Sequence, residues 1–269
     1  MNKAADAIPC KELKRRAWEN FKRNKGRCVG FVAVAMLLSG IFGALQIVLP
    51  EDAAALKVVL LLAYLVICTQ VSLGSARFFL GQAKNEPKKF TVLLENFGDL
   101  PRYVVAVALV CFVTLLGFVP LAIAVALGYS SNDGTLMVLG GIIGGVPAVC
   151  VGVKCCVATA LLPFFALEEE GSSFAIFKKA WQVSWKKVTS LMLAFMGWWL
   201  LLGFLPGLLV IVVNSVAIAY LVLVAMLLVL IPYWWLTLAE YYKELTNEQP
   251  DSTNAAALAV EAQAEEANT

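Results

Sequence analysis

The sequence predicts an all-α membrane protein, a polytopic helix bundle of about six transmembrane helices with two amphipathic helices on its cytoplasmic face. Of its 269 residues, 61% are hydrophobic and only 15% are charged, and the mean hydropathy is +0.80. Several uncharged runs exceed the roughly 18 residues that indicate a membrane-spanning helix. Lysine and arginine also cluster in a few segments, which is typical of the cytoplasmic side of membrane proteins.

Residues 1–27 form a basic N-terminal segment with an amphipathic pattern. Leu13, Ala17 and Phe21 recur every four residues and therefore share one helical face, while lysine and arginine occupy much of the remainder. We expect a helix that lies on the inner leaflet with this apolar strip toward lipid. An arm that binds another macromolecule is the alternative.

The membrane domain covers residues 28–245. Its predicted spans are about 28–49, 57–80, 103–129, 136–167, 189–213 and 215–241. No charged residue occurs between Lys187 and Glu240. One helix over that stretch would measure about 78 Å at ~1.5 Å per residue, whereas the hydrocarbon layer is about 30 Å thick. The stretch must therefore cross twice, with candidate breaks at residues 206–207 and 214–215.

The distribution of cations predicts the orientation. Of the 21 lysines and arginines, only Lys57 and Lys154 lie outside the N-terminal segment, the 77–102 and 168–187 connections, and the end of the last span. Both termini are then cytoplasmic, and the short connections at 50–57 and 130–136 face outward. The tail, residues 246–269, is acidic and rich in alanine, and we expect it to be disordered.

The second amphipathic helix is predicted over about residues 172–187, with Ser173 as a candidate N-cap. An aromatic stripe and neighbouring lysines favour a position in the headgroup layer. Docking on the bundle is the alternative. The residues expected to form a lipid or partner face are Trp181, Trp185, Lys186 and Lys187.

A glycine-rich stretch lies in the fourth span. Gly140 and Gly144, and likewise Gly141 and Gly145, have the small-xxx-small spacing that lets two helices approach closely. Pro147 follows and is expected to bend the helix. The stretch is therefore a candidate packing surface, with a hinge as the alternative.

Lys154 is a lone cation in the fourth span. If that span ends near Glu168, Lys154 lies about 21 Å above the inner boundary and roughly 9 Å from the outer one. We expect its side chain to reach outward to the interface, where an anion or a lipid phosphate could bind it.

The residue types argue against catalysis and metal binding. The chain has seven cysteines and no histidine, and six of the cysteines lie in apolar runs. We find no nucleophile elbow, no phosphate-binding loop and no zinc-ligand spacing. We therefore expect neither an enzyme nor a cofactor or metal site.

Four stretches resemble one family, the bacterial integral-membrane proteins catalogued as domain of unknown function 975. The resemblance is carried by KELK at 11–14, GSARFFL at 74–80, AIFKKAWQVSWKKVTSLMLAFMGWWLL at 175–201, and PYWWLTLAEYYKEL at 232–245. It implies a multi-pass protein of the bacterial cell membrane and brings no known activity to transfer.

These observations favour a non-enzymatic scaffold or accessory protein of the bacterial cytoplasmic membrane. Its expected partners are anionic headgroups on the cytoplasmic side and a protein partner or a second copy, and we expect no nucleic acid. A small transporter or exporter subunit, with an outward-leaning site around Lys154, is the alternative.

Overall fold

The computed structural model describes residues 9–49, 54–95, 97–131, 134–168, 171–183, 204 and 215–247. Within these ranges the ordered elements are helical. Seven α-helices follow one another: α1 Cys10–Arg23, α2 Lys25–Val48, α3 Ala54–Ala83, α4 Leu100–Ser131, α5 Gly134–Glu168, α6 Ser173–Gln182 and α7 Val216–Asn247. Two short 3-10 helices, Phe90–Leu93 and Phe97–Asp99, lie between α3 and α4.

Five of these helices are long and apolar enough to cross a membrane. They are α2, α3, α4, α5 and α7, and they correspond to predicted spans one to four and six. This is the architecture of a multi-pass helical membrane protein. The predicted fifth span, 189–213, lies outside the described residues, as does the tail from 248 onward.

The packed core lies at one end of the bundle. We call it the basic end, because α1, the 84–99 connection and the C-terminal ends of α3, α5 and α7 meet there with most of the described cations. Stacked rings mark its centre: Phe31 of α2 lies 3.9 Å from Phe78 of α3, and Phe164 of α5 lies 5.4 Å from Tyr242 of α7.

The opposite, distal end carries apolar side chains on its outside. Leu37 and Val48 of α2, Leu62 of α3 and Leu115 of α4 are all more than half exposed. Exposing such a surface to water is unfavourable, because each Å² of exposed apolar area costs about 25 cal/mol. A lipid environment removes that cost, so the distal halves have the surface expected of membrane-spanning segments.

The fourth predicted span is one continuous helix. Pro147 and Pro163 both lie inside α5, which runs unbroken from Gly134 to Glu168. Among Gly141, Gly144 and Gly145, Gly144 alone is placed against another helix, because a Cβ there would lie 2.7 Å from the Leu121 Cα of α4. Gly141 and Gly145 face open space, so the predicted close approach on their face is not made with the described residues. Gly140 lies in α5, and no side-chain environment is described for it.

Candidate functional site

The N-terminal amphipathic helix packs on protein. Leu13, Ala17 and Phe21 of α1 are each no more than 2% exposed and belong to the hydrophobic core. The prediction that this strip faces lipid is therefore wrong. The pattern indicates that one face of α1 must be buried, and here the helix bundle supplies the apolar surface that buries it.

Contacts at the edge of α1 attach it to α7. Arg16 Nη1 lies 2.5 Å from Glu244 Oε1, and the rings of Trp18 and Tyr233 meet edge-to-face at 5.5 Å. Such a ring pair contributes about 0.5–1.5 kcal/mol beyond its buried area. Because α7 crosses the bundle, these contacts connect the N-terminal segment directly to a predicted span.

The remaining faces of α1 are charged and exposed. Glu12 accepts hydrogen bonds from Arg15 and Arg16, which lower the pKa of its carboxyl to about 2. Glu19 lies 2.6 Å from Arg15. Beside these pairs, Lys22 and Arg23 are exposed at the junction with α2, and Lys22 Nζ lies 5.6 Å from the centre of the Trp18 ring.

A polar network joins α1, α3 and α7 inside the basic end. Asn20 Nδ2 donates to the Gln82 carbonyl oxygen at 3.0 Å and lies 3.5 Å from Glu240 Oε1. Lys243 Nζ donates to the Ala83 carbonyl oxygen at 2.9 Å. Glu240 is only 6% exposed, and Gln82 is equally inaccessible. Sequence reasoning missed this network, although an acid at the border of an apolar run was a usable signal.

Lys154 lies against an aromatic ring. Its Nζ lies 4.3 Å from the centre of the Trp181 ring of α6, which is within the range of a cation–π contact. In this structure the ammonium therefore has a partner on a neighbouring helix, and the outward lean of Lys154 stays a prediction.

Helix α6 packs against α4 and α5. Ile176 and Ala180 are buried against α4 and α5, while Phe174 stays exposed and Trp181 is half-buried. Ser172, not Ser173, caps the helix, since its hydroxyl accepts a hydrogen bond from the Ala175 backbone N–H. The docked alternative for this helix therefore holds over Ser173–Gln182. Trp185, Lys186 and Lys187 lie outside the described residues.

One carboxylate connects three elements at the start of α4. Asp99 lies 3.1 Å from Arg77 of α3 and 2.5 Å from Arg102 of α4. Arg102 also donates to the Gly171 carbonyl oxygen, in the turn before α6, at 3.4 Å. The Asp99 carboxylate therefore ties the start of α4 to α3 through two guanidinium groups.

The connection between α3 and α4 is a strap seated on α3; we use this name for residues 84–95 and 97–99. A Cβ at Gly74 would lie 2.7 Å from the Leu93 Cα, and one at Gly81 would lie 2.7 Å from the Glu86 carbonyl oxygen. Only glycine lets the strap approach this closely. Gln70 donates to the Glu95 carbonyl oxygen at 2.8 Å and attaches the far end of the strap.

Potential metal ligands do not cluster among the described residues. Within them, no group of three or more potential metal ligands occurs. An open groove on α4 is apolar and is lined by Phe118, Leu121, Ala122, Val125, Ala126 and Tyr129. The arrangement presents a cationic surface at the basic end and an apolar surface at the distal end.

Comparison with known proteins adds no relative: no family model, no curated protein and no solved structure matches this chain.

Proposed function

We propose that this chain is a non-enzymatic scaffold or accessory protein of the cytoplasmic membrane, with the basic end in the cytoplasm. There it would hold anionic lipid and, through the same face, a protein partner or a second copy. The proposal depends on which residues of the basic end are buried and which are exposed. The apolar strip of α1 is buried in internal packing, and exposed cations such as Lys22, Arg23 and Lys25 remain on the surface of the basic end. The resemblance to a bacterial membrane family agrees with the proposed membrane location.

The geometry of Lys154 weighs against the transporter alternative. A transport site needs a polar, accessible position near the middle of the membrane. Here the ammonium of Lys154 lies on the Trp181 ring, and the neighbouring Cys155 and Ala158 are buried. The lysine is then a packing residue that holds α6 against α5.

Lipid selectivity of the full-length protein tests the proposal. Native mass spectrometry in a mild detergent would compare binding of phosphatidylglycerol with binding of phosphatidylcholine. We expect clear preference for phosphatidylglycerol, weakening as salt is added, because exposed charge pairs are screened over about 10 Å at 0.1 M salt. Equal binding of the two lipids would contradict the proposed function.

A further inference from the structure

Exposed cations of the strap and of the α1–α2 junction come together where Arg27 contacts Lys88. Arg27 donates to the Lys88 carbonyl oxygen at 3.2 Å, which brings two segments distant in sequence side by side. We use the name basic corner for the exposed residues Arg23, Lys25, Arg27, Lys88 and Lys89. One carboxylate, Glu86, faces this group, 3.5 Å from the Lys88 ammonium.

The corner is held in place by its surroundings. The Phe90 ring lies 5.9 Å from both Phe31 and Phe78, and it covers Gly30 of α2. The stem of Lys88 lies over Gly81 of α3. Cations with a fixed backbone lose less freedom when a ligand binds than cations on a loose loop do.

Apolar side chains adjoin these cations on the strap. Phe90, Leu94 and Phe97 are 39%, 55% and 51% exposed. On the other side of the corner, Arg27 directly precedes Cys28, where the apolar run of α2 begins. Cations therefore meet exposed apolar groups at the level where α2 enters the membrane, which is the pattern of a segment at the headgroup boundary.

We propose that the basic corner is a binding site for the headgroup of an anionic phospholipid, with Phe90 against the upper part of the acyl chains. The proposal rests on the proposed function and assigns it to one surface, separate from α6. A soluble acidic protein matches the charges equally well, but it leaves Phe90, Leu94 and Phe97 without an apolar environment. A phospholipid satisfies both parts of the surface.

Removing charge at the corner tests the site. In the triple variant Lys25→Gln, Lys88→Gln, Lys89→Gln, native mass spectrometry should show the tightest phosphatidylglycerol binding weakened by roughly tenfold or more. Each cation near an anionic surface contributes about 1 kcal/mol, or roughly fivefold. Arg27 is kept so that its hydrogen bond still holds the strap.

The matched control removes the same charge elsewhere. The triple variant Lys11→Gln, Lys57→Gln, Lys178→Gln should keep phosphatidylglycerol binding within about twofold of the unmodified protein. Equal losses in the two variants would overturn the site. Unchanged binding in the corner variant would also overturn the site. The proposed function would still stand in that case if the unmodified protein prefers phosphatidylglycerol.

Two measurements remain decisive if the corner variant folds poorly. The charge-conserving variant Lys25→Arg, Lys88→Arg, Lys89→Arg should keep the affinity, and added salt should lower it in the unmodified protein. Loss of affinity in the arginine variant, or indifference to salt, would overturn the site. Loss of a co-purifying acidic protein from the corner variant, with lipid binding unchanged, would assign the surface to that protein instead.

Discussion

At the scale of single residues, Lys154 shows how a half-buried charge in an apolar helix contacts an aromatic ring. A lysine within the membrane costs roughly 2.5–3.5 kcal/mol at the centre and less toward the edge. The Trp181 ring offers it a face at 4.3 Å, and a desolvated cation–π contact contributes about 2 kcal/mol. Lys154 and Trp181 should therefore be energetically coupled.

We expect a double-mutant cycle of Lys154→Met and Trp181→Leu to give a coupling energy of about 1 kcal/mol, measured by thermal unfolding in detergent. Phe174→Leu, paired with Lys154→Met, is the control, because Phe174 is 62% exposed, and we expect its coupling to be near zero. Additive effects of Lys154→Met and Trp181→Leu would show that the contact contributes nothing. Solute flux in vesicles that depends on Lys154 while stability is unchanged would revive the transporter hypothesis.

At the scale of elements, α1 demonstrates that an amphipathic helix beside a membrane can be a packing helix. Its period of four is equally suited to lipid and to protein. The outcome depends on which apolar surface is available and complementary. Here the three strip residues are almost wholly buried, and the cationic faces are left outside.

Phe21→Ala should therefore destabilise the bundle, by about 3–5 kcal/mol as for other buried phenylalanines. Phe174→Ala on α6 is the matched control, because Phe174 is 62% exposed, and its cost should stay below about 1 kcal/mol. Thermal unfolding of the detergent-solubilised protein measures both. If Phe21→Ala costs no more than Phe174→Ala, then α1 is not part of the core.

At the scale of the whole molecule, helix length separates two layers. Helix α3 has 30 residues, or about 45 Å, whereas the hydrocarbon needs about 30 Å. The excess of α3, α5 and α7 extends into the basic end, where they form a packed layer with α1, α6 and the strap. A membrane then surrounds the apolar distal halves, and the packed layer lies at one face of it.

The positive-inside rule predicts that the packed layer lies in the cytoplasm. An epitope inserted after Asn132, between α4 and α5, should be accessible to antibody on intact cells. The same epitope after Thr269 should be accessible only once the membrane is permeabilised. The reverse result would invert the orientation and remove the cytoplasmic assignment of the basic corner.

Five of the six predicted spans followed from residue types alone. Long uncharged runs predict helices that can cross a membrane, and the predicted first to fourth and sixth spans agree with α2, α3, α4, α5 and α7. The position of the strap could not be predicted from the sequence, because it depends on contacts of Gly74 and Gly81 with residues up to some twenty positions away. A glycine at those positions permits another segment to approach closely, but it does not indicate which segment does so.

By itself the sequence determined which segments avoid water and where the cations cluster, since transfer free energy depends on each side chain separately. Only the tertiary structure decided what each amphipathic face touches: α1 packs on α7, Lys154 lies on Trp181, and Arg27 lies beside Lys88. These pairings depend on the geometry of helices brought together from distant parts of the chain. A local pattern specifies that a face must be buried, but the neighbour that buries it is a property of the whole fold.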